Sequence, residues 1–176
     1  TTLPSGGNKI ASVSEQVGLT PISIQYSRPG VKGREGKIWG ELVYEGYTDM
    51  QFGNTKAAPW RAGANMNTTI EFGTDVLIEG KPLSAGKYGL FIAYGPNEST
   101  VIFSKNSNSW GSYYYNPAAD ALRVNVRPAT LNQSVEWLQY VFANQTDDAA
   151  TVALQWEKLS IPFRVSVDLV ATQIAS

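Results

Sequence analysis

The chain has 176 residues, with 14 Lys plus Arg against 15 Asp plus Glu, so it has no global field able to hold a polyphosphate and nucleic acid is not expected as a partner. Cysteine and histidine are both absent. This removes disulfides, thiolate metal sites, a cysteine nucleophile and the usual general base, leaving carboxylates, Lys and Tyr for proton transfer and oxygen ligands for a hard cation. No apolar run reaches eighteen residues, so no membrane span is expected, and the length suits one domain around one core.

In chain order, residues 1–8 form a polar, Gly-bearing tail with no charged-then-apolar leader, which leaves the compartment open at this end. Strands are predicted on both sides of Gly18. In the second, Ile22, Ile24 and Tyr26 alternate with Ser23, Gln25 and Ser27 and bury one face. Arg28 to Lys37 is a basic loop threaded by Gly30, Gly33 and Gly36. It suits either a solvated turn or an anion seat, because Gly lets backbone N–H groups converge on the oxygens that Arg28, Lys32 and Arg34 would clamp. Lys37 to Leu42 is expected to make one helical turn, and Val43 to Pro59 a long loop.

Asn67 to Phe72 alternates, and from Lys87 to Tyr94 both faces are apolar, as a strand covered on both sides requires. Ser99 to Ser104 completes a hairpin. Lys105 to Pro117 is a second irregular loop, carrying Trp110 and Tyr113-Tyr114-Tyr115. Ala121 to Arg127 and Val135 to Phe142 follow as strands. Then Val152, Leu154 and Trp156 alternate, and beyond Glu157-Lys158 so do Ile161, Phe163, Val165 and Val167. About ten strands without an amphipathic helix predict a single all-β domain, an antiparallel β-sandwich of jelly-roll type.

Several segments in this order, Tyr26-Ser27-Arg28-Pro29, Val31-Lys32-Gly33-Arg34, Trp60-Arg61-Ala62-Gly63-Ala64-Asn65, Ala85-Gly86-Lys87-Tyr88, Trp110-Gly111 and Trp156-Glu157, resemble the bacterial family DUF2911, from about Lys9 to about Val167. The resemblance implies an exported, extracytoplasmic β-rich domain of Gram-negative bacteria and supplies no reaction. Tyr44 to Pro59 is longer than the connection in the family pattern.

The densest recognition chemistry lies at Trp60, Arg61 and Asn65, where a guanidinium fork and an amide flank Gly63. They either face one small polar ligand or brace and cap a turn. Trp60 suits a stacking platform or a plug at the end of the sandwich; Trp110 and Tyr114 suit a platform, and Trp137 and Trp156 suit the core. Paired carboxylates are the catalytic option left without histidine, but Glu71, Asp75, Asp147 and Asp148 hold ordinary turn positions. The expected function is therefore non-catalytic binding of a small polar or anionic ligand or a glycan, using Arg28, Lys32, Arg34, Trp60, Arg61, Asn65, Trp110 and Tyr114, with no cofactor or metal. The alternatives are a carboxylate-dependent glycoside hydrolase and a structural or protein-interaction domain.

Overall fold

In the computed structural model the described residues are 9–47, 59–63, 68–105 and 116–168. They form two antiparallel sheets. The larger has the order β1 (Lys9–Val17), β2 (Thr20–Arg28), β3 (Thr68–Phe72), β6 (Gly86–Ala93), β7 (Ser99–Ser104), β8 (Asp120–Val126). The smaller has the order β5 (Lys81–Leu83), β4 (Val76–Ile78), β10 (Ala149–Ser166), β9 (Ala129–Ala143). Among the described residues the only helical turn is a 3₁₀ turn at Pro117–Ala119, and no helix is long and apolar enough to cross a membrane.

Period-two alternation produces the sandwich. Ile22, Ile24, Ile70, Leu90 and Phe103 from the larger sheet meet Leu138, Leu154 and Phe163 from the smaller. Phe103 and Phe163 touch edge to face at 5.5 Å. On the outer side of the larger sheet, Phe91 and Ile102 make a second buried pair. Arg123 lies across from Ile102, donates to the Tyr47 hydroxyl at 2.8 Å and sits 5.7 Å from its ring, which draws the start of the long loop toward that outer side. Strand β6 is thus covered on both faces, as its sequence predicts.

Two irregularities shape one end of the molecule. At the first, β2 runs on past Arg28 and pairs with the other sheet. Val31 N–H donates to the Glu136 carbonyl at 2.8 Å and Leu138 N–H to the Pro29 carbonyl at 3.0 Å, around the facing residues Gly30 and Trp137. Tyr26 and Val31 both point inward although one position is even and the other odd, so the alternation slips once between them.

The second is a bend in the β9–β10 ribbon. Its register shifts on both sides of Glu157, whose φ is 56°. Straight, the 18 residues of β10 would span about 60 Å. Instead Val167, just past its end, donates to the carbonyl of Asp148, just before its start, at 2.8 Å, so the ribbon doubles back at Trp156 to Lys158. The interruption read at Glu157-Lys158 is therefore a bend within one strand. The helical turn expected from Lys37 to Leu42 does not form. Gly40 has φ 89°, and Val43 N–H closes a wider turn onto the Ile38 carbonyl at 2.8 Å.

Candidate functional site

The continuation of β2 gathers the basic loop against β9. Arg28 Nε donates to the Leu138 carbonyl at 2.8 Å and Nη2 to the Trp137 carbonyl at 3.4 Å. Arg34 Nε and Nη2 donate to the carbonyls of Val31 and Gly30 at 2.9 and 2.7 Å. Lys32, at φ 53°, extends its ammonium to 5.8 Å from the Trp137 ring. Arg28, Lys32 and Arg34 thus share one corner, where both arginines also brace the backbone.

The loop's backbone donors do converge on oxygens, and these belong to the protein. Lys32 N–H donates to Glu136 Oε2 at 2.9 Å and Gly36 N–H to Glu157 Oε2 at 2.8 Å. A Cβ on Gly30 would lie 2.9 Å from Glu136 Oε2 and 3.2 Å from the Trp137 ring, so a larger residue here would have to displace the Glu136 carboxylate and press on the indole. The roles of Glu136 and Glu157 are absent from the sequence expectations. The signal that carries them is the mirrored pair Glu136-Trp137 and Trp156-Glu157, one on each strand of the bent ribbon.

Inside the bend lies an indole cluster. Trp60 and Trp156 are nearly parallel at 6.4 Å, and Trp39 meets them edge-on at 5.6 and 6.2 Å. Trp39 Nε1 donates to the Trp156 carbonyl and Trp156 Nε1 to the Glu136 carbonyl, both at 3.2 Å. Trp60 is 6% exposed and its backbone pairs with Ile92 beyond the end of β3, so it plugs the end of the sandwich. Tyr94 packs 5.0 Å from Trp39, and burial, with the nearby Glu45 and Glu157 carboxylates, raises its pKa.

Next to Trp60 the chain enters the core. Ala62, at φ 55°, turns its carbonyl toward Thr68 Oγ1 at 3.0 Å and the Tyr140 hydroxyl at 2.6 Å. Arg61 is half-buried and engaged with its neighbours. Burial holds the Tyr140 phenol well above its ordinary pKa. A raised phenol pKa contributes stability that is fully present below the unfolded value of 10.0 and is lost as pH rises toward the folded value. Tyr140→Phe is expected to cost about 1–2 kcal/mol at neutral pH by leaving the Ala62 carbonyl one donor short. The gap to the wild type should narrow above pH 10; urea titrations at pH 7 and pH 10.5 check both values.

Asn65, Trp110 and Tyr114 lie outside the described residues. The flanks of the loop bearing Trp110 and Tyr114 are described. Lys105 N–H donates to the Ala119 carbonyl at 2.8 Å, and Ser104 pairs with Gly89, whereas Trp60 pairs with Ile92 toward the β6–β7 hairpin. Those flanks lie at the end of the larger sheet away from Trp60. Asp75 accepts from Ala85 N–H at 2.8 Å, Asp148 pairs with Thr146 at 3.2 Å, and Glu71 stands opposite Lys87 in the strand register.

Fold and corner together define an antiparallel β-sandwich that presents a basic rim beside a tryptophan-filled bend. The chain belongs to the family described as protein of unknown function, DUF2911, whose sequence pattern matches residues 8–165. No curated protein and no solved structure matches it.

Proposed function

We propose that this domain is a non-catalytic, extracytoplasmic binding module that takes a small polar anion or a charged sugar at the corner holding Arg28, Lys32 and Arg34. The observation that carries this reading is the pairing of Pro29 to Val31 with Glu136 to Leu138, which places three cations on one short, rigid seam. A cation on a braced backbone holds an anion at lower entropic cost than one on a free loop.

Thermal melts with sulfate, phosphate, citrate and galacturonate test the binding. At a hundredfold excess over Kd, a true ligand stabilises by about 2.7 kcal/mol. Lys32→Glu should abolish that shift while leaving the unliganded melt nearly unchanged. If no anion moves the melting temperature, or if Lys32→Glu responds like wild type, the corner is structural only. Fractionation of cells producing the natural gene product tests the location, and recovery in the cytoplasm would overturn it.

A further inference from the structure

The sheet face beside the rim carries recognition chemistry of its own. Leu138 and Tyr140 are buried, so their neighbours Trp137, Gln139 and Val141 point away from the core. Trp137, expected in the core from its alternating strand, is only partly buried and does not pack against the core cluster. Across the ribbon, Gln139 faces Gln155 and Val141 faces Ala153. The result is a low shelf with one indole at its upper end, next to Lys32.

The two glutamines are fixed to each other. Gln139 Nε2 donates to Gln155 Oε1 at 3.0 Å, which spends one donor and one acceptor. The pair also carries the Gln139 Oε1 acceptor and the Gln155 Nε2 donor, a combination that matches neighbouring hydroxyls, each of which both gives and accepts. Two residues along a strand span about 6.8 Å, so the indole and the amide pair lie within roughly one sugar ring of each other. The indole offers an apolar edge to the C–H face of such a ring. Around this corner Arg28, Lys32, Arg34, Lys37 and Lys158 outnumber Glu35, Glu136 and Glu157, which favours a carboxylate-bearing sugar over a neutral one.

Resting on the reading of the corner as an anion site, we propose that the ligand is an acidic polysaccharide, a uronate chain lying along the outer face of β9 and β10. One ring packs against Trp137, its hydroxyls meet the Gln139–Gln155 pair and its carboxylate faces Lys32. Electrophoresis through native gels containing polygalacturonate, alginate or neutral hydroxyethylcellulose tests this directly. Wild type should be retarded by at least one of the uronate polymers and not by the neutral one, and the retardation should weaken as salt rises.

Trp137→Ala and Gln139→Glu should each weaken binding at least tenfold. The second removes no packing and guards against loss of fold in the first. If Trp137→Ala and Gln139→Glu bind as wild type while Lys32→Glu does not, the shelf plays no part and the corner alone binds. Absence of retardation by either uronate polymer overturns the polysaccharide proposal, and the small-anion melts then decide separately whether the corner binds anything.

Discussion

Trp156→Ala is expected to lower the free energy of unfolding by about 3–5 kcal/mol, the cost of truncating a large aromatic in a packed core. The indole is 1% exposed, stacks on Trp60, meets Trp39 and donates to the Glu136 carbonyl, so its loss opens a void and leaves that carbonyl with the Val31 N–H as its remaining backbone donor. It also sits where β10 reverses. Because a small domain holds about 5–15 kcal/mol in all, the variant should sit close to unfolding at 37 °C. Trp137→Ala, two strand positions from the bend but on the outer face, is the matched control and should cost about 1 kcal/mol or less. Urea denaturation followed by far-UV circular dichroism measures both; equal costs would mean that the bend is not packed as described.

Gly63→Ala is expected to cost about 3 kcal/mol, at the upper end for overpacking by one methyl group. The added Cβ would lie 2.7 Å from Thr68 Oγ1 and 3.2 Å from the Ser27 carbonyl. Neither neighbour can withdraw easily. Thr68 is held by its own bond to the Ala62 carbonyl, and Ser27 is the last buried residue before β2 crosses between sheets. The strain should pass to Trp60, three residues earlier, and shift the tryptophan emission of the folded protein. Gly33→Ala, with open space around the added Cβ and a φ of 76°, carries only a backbone penalty of about 1 kcal/mol. An unchanged melt for Gly63→Ala would show that the Trp60 segment lies farther from β2 than 3 Å contacts imply.

Much of the architecture is legible because apolar alternation is a direct record of burial. Ile22-Ile24-Tyr26, Thr68-Ile70-Phe72 and Val152-Leu154-Trp156 each predict their inward face correctly. The start of β9 is not legible. Residues from Thr130 to Ser134 are mostly exposed and polar, so pairing with β10 is written in backbone hydrogen bonds that leave no side-chain pattern. Trp137 misleads for a related reason: a strand alternating Leu138 with Trp137 has two apolar faces, and only the fold shows which one meets the core. The corner itself is half-legible. Arg28, Lys32 and Arg34 stand out as a basic glycine-rich cluster, whereas their acidic counterparts Glu136 and Glu157 lie more than a hundred residues away in the chain and become neighbours only through the bend.

The seam at Gly30 and Trp137 ties together positions remote in sequence, Arg28 and Leu138 being 110 positions apart, while the bent ribbon meets itself across a single 18-residue strand. Closing the longer circuit costs about 1.5 kcal/mol more in chain entropy on the logarithmic law. During assembly the ribbon can therefore zip and double over before the seam closes. A guest seated across it would act as a clasp, slowing the opening of the domain without touching its interior.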